Sequence, residues 1–499
     1  MGDRYLRKDG KITMNLPAAL RRVDDAVWEL PPDYKPDMRV PARIVGSQAL
    51  VEAMDPGVFD QITNVACLPG IVDAAWCMPD GHWGYGFPIG GVAAMDPEAG
   101  GVISPGGIGF DINCGMRLVR TNLTLEEVQP HIRNLVDQLF HRVPAGVGSS
   151  GFIRLQAGEF REVLEQGARW CLEHGYAWPG DLERTEEGGC VPGADASKVS
   201  ERAVERGLKQ VGTLGSGNHY LEVQVAERHN ILDPDTARAF GIDRDDQIVI
   251  MFHCGSRGFG HQVASDYLQR FLKVMEPQYG IRVRDRELAA APLDSPEGRD
   301  YLAAMNCAIN LSFANRQVIL HRVRQVFADV LGRDPKEMGM EQVYDVAHNT
   351  AKLEDHWIDG RQRRLLVHRK GATRAFGPGM PDVPEIYADY GQPVILGGSM
   401  ETGSYLLHGT PEAARTFCST AHGSGRAMSR RQARKTWRGE TLQQDMGDRG
   451  IYVRAAGMAG LAEEAGGAYK SIDAVVQAVE RAGLSKPVAR LRPIGNVKG

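Results

Sequence analysis

No stretch of these 499 residues approaches the roughly 20 apolar residues that a membrane-spanning helix requires. The amino-terminal MGDRYLRKDGKITMNL also lacks the apolar run of a signal peptide. The cysteines (Cys67, Cys77, Cys114, Cys171, Cys190, Cys254, Cys307, Cys418) are scattered with no paired framework, which argues for a reducing, cytoplasmic setting with free or ligating thiols. There is no excess of positive charge: the formal net charge is -5, so any nucleic-acid site must be a local basic groove. Aromatics are few, at 7%, and form no recognisable stacking platform. No Pro-, Ser- or charge-rich linker divides the chain, and no internal repeat or low-complexity tract appears, so one large, loop-rich domain is expected. Walker A and dinucleotide fingerprints are missing too: GSRGFGHQ lacks the terminal Lys-Ser/Thr.

Glycine is abundant. At 59 of 499 residues it exceeds the usual share of about 7%, which implies unusual backbone conformations or close backbone approach to a ligand. Helical periodicity follows Thr124, where Thr124 and Glu127 have capping-box spacing ahead of Val128, Ile132, Leu135 and Leu139. The longest expected helix opens at Ser295-Pro296 and runs to about Gly332. A last helix spans 472–482, and the tail ARLRPIGNVKG reads as too basic and too Pro/Gly-punctuated to be core. Strands are expected at 116–119, 248–252, 365–367 and 394–396, nearly all touching glycine-rich turns. The Gly/Glu-rich segment 175–195 reads as a surface excursion or lid.

Chemistry concentrates on those turns: MPDGHWGYGFPIGG (78–91), GGIGFDINCG (106–115), LGSGNHYLE (214–222), FHCGSRGFGH (252–261), GGSMETGS (397–404) and AHGSGR (421–426), with YDVAHN (344–349) beside them. Asp111 and Cys114 are spaced so that a carboxylate and a thiolate could converge on one cation, although a buried cysteine can equally be a small hydrophobe. His219, His253 and His348 could complete one or two metal sites or be ordinary structural histidines. The glycine turns offer backbone N–H nests for phosphate, with Arg257 and Arg426 inside two of them. His422 could be a nucleophile that carries phosphorus as a phosphoramidate, a metal ligand, or polar packing. The residues alone point to a metal-dependent phosphoryl-transfer enzyme.

In order, GFPIGG, ISPGGIGFDINCG, GTLGSGNH, HCGSRGFGHQ, VAHN, GGSMETGSYLL, TAHGSGR and RPIGNVKG resemble the blocks of the RtcB family of RNA ligases, from about Gly46 to Gly499. The resemblance implies an α+β fold, a single large domain (46–499, behind an extension over 1–45) with mixed and antiparallel sheets, flanking helices and Gly-rich active-site loops. It implies two Mn(II) ions held by Asp111, Cys114, His219, His253 and His348, and GTP as co-substrate with GMP carried on His422. GMP contacts would come from Asn218, His219, Glu222, Asn349, Gly397, Gly398, Ser399, Met400, Ser404, Gly423, Ser424, Gly425 and Lys498. Asp80 would assist guanylylation. Gly81 stands where the family has a hydrophobic residue, a departure expected to loosen that turn. The partner would be RNA with a 3′-phosphate or 2′,3′-cyclic phosphate and a 5′-hydroxyl, acted on by a monomer with an archease-type activator as a candidate partner. Two other readings are a dinuclear-metal phosphoesterase, which needs the metal set but not His422 or Lys498, and a non-catalytic RNA-binding subunit.

Overall fold

The computed structural model describes residues 16–499. Two large sheets carry the fold. One has seven strands in the order 21–22, 27–30, 42–45, 75–82, 89–95, 361–370, 349–358. The other runs 341–347, 115–124, 247–254, 220–226, 485–498, 404–409, 393–396, with 452–455 pairing in parallel along 485–498. Most pairs are antiparallel, and the pairing of 42–45 with 75–82 is parallel, giving a mixed α+β architecture. All four strands expected from β-branched runs lie within these sheets.

Of the expected amino-terminal extension, residues 1–15 lie outside the described residues, while 21–45 contributes three strands whose Leu30, Ala42 and Ile44 enter the main hydrophobic core. The family resemblance beginning near Gly46 therefore does not coincide with an edge of the sheet.

The long helix is Pro296–Leu331. Ser295 caps it by accepting from Gly298 N at 3.0 Å, and Gly332 ends it in the left-handed conformation at φ 67°. Its middle is buried on every side, so it works as a central spindle and not as a surface helix. The helix expected after Thr124 has the capping box, yet Pro130 sits in a 3-10 turn that separates Leu125–Val128 from Ile132–Arg142. The last helix is Ile472–Arg481.

One expectation needs correction. The tail is core: Ser485–Lys498 is an interior strand of the second sheet. Its prolines are accommodated because the ladder shifts register at them, between the partners of Pro487 and Ala489 and between Pro493 and Gly495. The segment 175–195, expected as a surface excursion or lid, is anchored to the core by two of its acids. Buried Asp181 accepts from both terminal nitrogens of Arg324 at 2.7 Å, and buried Glu186 accepts from Lys352 Nζ at 2.8 Å and from the main-chain N of Ala347 at 2.8 Å. Two buried acids of this kind need cationic partners to remain charged, and that need ties the segment down.

Candidate active site

Sheet register assembles the metal-competent side chains. Four neighbouring strands run 341–347, 115–124, 247–254, 220–226, and Gly115 pairs with both Ala347 and Cys254 while Tyr220 pairs with His253. His348, Cys114, His253 and His219 consequently emerge at one edge of the sheet. Cys114 Sγ lies 3.3 Å from His219 Nε2 and 3.1 Å from His253 Nε2. His253 Nε2 is 3.1 Å from His348 Nε2, and Asp111 Oδ2 is 2.8 Å from His219 Nε2. Spacings near 3 Å match adjacent donors around a cation held at about 2.1 Å.

The chemistry of the donors fits a cation. Burial pushes His253 and His348 well below the usual imidazole range, so both are neutral and offer lone pairs. His219 Nδ1 is 2.9 Å from the Leu214 carbonyl, which accepts a hydrogen bond from Nδ1–H and so leaves Nε2 unprotonated to ligate. Asp111 Oδ1 is buried with no hydrogen-bond partner in the protein.

Polar side chains of the spindle helix hold these loops. Arg316 Nη1 donates to the carbonyls of Asn113 (2.8 Å) and Cys254 (3.0 Å), the residues beside Cys114 and His253. Its Nε and Nη2 donate to Asp345, which also accepts from Arg117 Nε at 2.7 Å. Asn315 Oδ1 accepts from the main-chain N of Gly212 and Thr213, ahead of Asn218 and His219.

His422 lies beside this cluster, its ring centroid 4.8 Å from that of His348. Asp80, fully buried, places Oδ2 2.6 Å from His422 Nδ1 and accepts from the His422 main-chain N at 3.1 Å. Glycine permits this approach: a Cβ on Gly425, at φ 68°, would stand 2.0 Å from the Asp80 carbonyl oxygen. The Gly81 turn is closed where a loose one was expected. Its Cβ position faces Cys77 Sγ at 2.5 Å, and Lys470 Nζ donates to the carbonyls of Gly81 (2.5 Å) and Pro79 (3.1 Å).

These groups line one cavity of about 720 Å³. Asp80 lies behind its wall, holding His422. Of the expected residues, Asp111, Cys114, Asn218, Glu222, His253, His348, Asn349, Gly397, Gly398, Ser399, Met400, His422, Gly423, Ser424, Gly425 and Lys498 all face it. His219 joins through Asp111 and Cys114, while Ser404 sits behind, its Oγ accepting from Gly398 N at 3.4 Å. Arg426 faces the cavity, whereas Arg257 is not in its lining and donates to Thr213 Oγ1 at 3.2 Å.

At the buried end, burial pushes the Glu222 carboxyl up to about 7 even though it accepts from Gln224 and Asn496. Lys498 Nζ is 3.5 Å from Glu464 Oε2, and burial pulls the ammonium down. Burial also works to raise Glu464, but Lys498, the Tyr469 hydroxyl, Arg430 and Arg426 outweigh it and hold the carboxyl at about 2.

Sequence reasoning missed Trp83, Arg430, Glu464, Tyr469 and Lys470, all of which line the cavity. They stand outside the His-plus-glycine pattern used to find the rest, apart from Trp83, whose neighbours were quoted for their glycines. Arg426, Arg430, Lys470 and Lys498 bring cations into the lining, three of them paired with Glu464, beside Asp55, Asp111 and Glu222.

Comparison with known proteins agrees with this geometry. Residues 61–499 match the family model described as tRNA-splicing ligase RtcB. The chain is 52% identical over 487 residues to tRNA-splicing ligase RtcB of Archaeoglobus fulgidus, covering 97% of this chain and 100% of that one. It is 52% identical over 482 residues to the protein of that name from Thermococcus kodakarensis (96% and 99% covered) and 51% identical over 481 residues to that of Aeropyrum pernix (96% and 99%). A buried Cys/His cluster, a carboxylate-paired histidine beside it and a full-length match of this kind place the chain in the RtcB family of tRNA-splicing RNA ligases.

Proposed function

We propose that this chain joins an RNA 3′-phosphate, or a 2′,3′-cyclic phosphate opened to it, to a 5′-hydroxyl, using GTP and a guanylylated His422. The observation that carries the reading is Asp80 Oδ2 at 2.6 Å from His422 Nδ1, within one cavity that also holds the Cys114, His253 and His348 cluster.

The Asp80 carboxylate, with Oδ2 2.6 Å from Nδ1, electrostatically favours the proton on that nitrogen and so leaves Nε2 with a free lone pair. That nitrogen attacks the α-phosphorus of GTP, a P–N bond forms and pyrophosphate departs. An oxygen of the RNA 3′-phosphate then displaces His422, giving RNA-(3′)pp(5′)G, in which the terminal phosphate has acquired a good leaving group. Attack by the 5′-hydroxyl forms the phosphodiester and releases GMP. Two Mn(II) ions on Asp111, Cys114, His219, His253 and His348 would supply charge neutralisation for the triphosphate and the RNA phosphates. The choice of manganese follows the resemblance, since a thiolate and imidazoles equally suit zinc.

Asn218, His219, Glu222, Asn349, Ser404 and Lys498, with Gly397 to Met400 and Gly423 to Gly425, would supply the contacts to GMP. The RNA would be tRNA halves or broken RNA, in a cytoplasmic monomer with an archease-type activator as candidate partner. We take 46–499 as the catalytic unit, with the preceding strands as an extension of its sheet. The test is incubation with Mn(II) and GTP labelled on the α-phosphate, beside His422→Ala. Acid-labile, base-stable label on the wild type alone is the expected result. No label on metal-loaded protein would overturn the ligase mechanism in favour of a phosphoesterase.

A further inference from the structure

Among the described residues, the large exposed hydrophobic side chains are Val23, Trp83, Val147, Leu232, Trp357 and Ile386, and only Trp83 lines the active-site cavity. It is 58% exposed, an unfavourable position for an indole with nothing over it. The backbone around it is nonetheless held firmly. Buried Gln61 donates from Nε2 to the Gly84 carbonyl at 2.6 Å and accepts from the Gly84 N at 3.1 Å. On the other side, His82 Nδ1 sits 3.1 Å from the Asp80 carbonyl.

The ring also has a seat. On helix Pro56–Val65, a Cβ at Gly57 would fall 1.9 Å from Trp83 Cζ3, so the benzo edge of the indole rests where only glycine leaves room. Asp55 fixes that helix start by accepting from Gly57 N at 2.8 Å, and Ala53 and Asp55 share the cavity wall with the ring. The arrangement is a seated, solvent-facing aromatic surface in the wall of the cavity.

We propose that Trp83, seated on Gly57, is a stacking platform for a nucleobase at the RNA end being joined. The inference rests on the ligase reading above and deepens it. A planar base is the ligand chemistry that an exposed indole recognises without any hydrogen-bond code, and Arg430, its side chain 48% exposed, stands in the same wall as a cation for the phosphates. The guanine of GTP is the other base in reach. Under the reading above its nucleotide contacts Glu222 and Lys498, which are 2% and 4% exposed, whereas the 58% exposed Trp83 meets what arrives from solvent. An enzyme that acts on ends of varied sequence gains from a platform, because every base has a π face.

The test uses the full-length, Mn(II)-loaded protein and RNA oligonucleotides carrying 2-aminopurine at the 3′-terminal or at the 5′-terminal nucleotide. Binding and fluorescence are compared for wild type, Trp83→Phe, Trp83→Leu and Gly57→Ala. Quenching in the wild type with either oligonucleotide, retained in Trp83→Phe and lost in Trp83→Leu, supports the platform and says which end it holds. The RNA Kd is expected to rise roughly 5- to 150-fold in Trp83→Leu, the range spanned by single base–aromatic stacks. Gly57→Ala should weaken RNA too, by pushing the ring from its seat, although alanine is the better helix former. Unchanged RNA affinity and quenching in Trp83→Leu overturn the proposal, as does a rise confined to the GTP requirement for labelling His422. Absence of His422 labelling in the wild type counts against the ligase reading alone, since the platform is judged on RNA binding.

Discussion

Asp80 and His422 are 342 residues apart in sequence, yet one carboxylate oxygen of Asp80 touches both the side-chain Nδ1 and the main-chain N of His422. The main-chain hydrogen bond holds the residue in place, and the charge beside Nδ1 favours a proton on that nitrogen. Asp80→Asn replaces an acceptor by a group that can donate to Nδ1, which moves the imidazole proton to Nε2. Guanylylation should slow by about 10²- to 10⁴-fold, the usual worth of a positioned acid–base partner. Rapid-quench labelling with α-labelled GTP checks this, with near-ultraviolet circular dichroism confirming that the fold persists.

Metal should couple to stability. With Mn(II) at about 100 times its Kd, the folded state gains about 2.7 kcal/mol by mass action. The thermal midpoint of the wild type should climb with added Mn(II) and fall with chelator, and labelling of His422 should stop when metal is removed. Cys114→Ala and His253→Ala should lose most of the Mn(II)-dependent shift, because Sγ and Nε2 there lie only 3.1 Å apart and serve one cluster. Differential scanning calorimetry across a Mn(II) series reads both effects, and an undiminished shift in both variants would remove these residues from the ligand set.

Asp345 is fully buried between Arg117 and Arg316. Asp345→Asn would leave two guanidinium groups without a counter-charge, and loss of one partner from such a pair costs about 3–5 kcal/mol. Urea denaturation should show that loss. Arg316 also holds Asn113 and Cys254, so Mn(II) affinity should fall in the same variant.

Glu222 gives a pH signature. Burial raises its carboxyl from 4.5 to about 7, so between those values the folded chain keeps a proton that the unfolded chain has released. Its contribution to stability is then lost as pH rises through that window. Glu222→Gln, which has no such proton to lose, should be more stable than the wild type by roughly 2–3 kcal/mol at pH 8 and by much less at pH 5. The same change should weaken GTP use, a trade expected where a costly buried carboxyl is kept for a ligand. Chemical denaturation at the two pH values and the GTP dependence of labelling measure the two sides separately.

Local signals in the chain were enough for the helix boundaries at Ser295 and Gly332, the strands around Met116 and Ile250, and the glycine turns bearing Cys114, His219, His253 and His422, because capping, β-branching and glycine act over a few residues. The order of those turns was also enough to suggest the family. What local signals could not reveal depended on distant partners. Ser485–Lys498 looked like a loose tail because its prolines break periodicity, and only pairing with 220–226 and 404–409, with register shifts at those prolines, makes it an interior strand. Glu186 lies in a segment read as a surface excursion, and it is buried because Lys352 and Arg374 surround it. Trp83 became a cavity wall only where Gly57 and Gln61, more than 20 positions earlier, meet its turn. Residue type and short spacing set which chemistry the turns could carry. The convergence of four strand ends on one edge, which turns scattered histidines and a cysteine into a site, was decided by antiparallel register between segments from 33 to more than 200 residues apart.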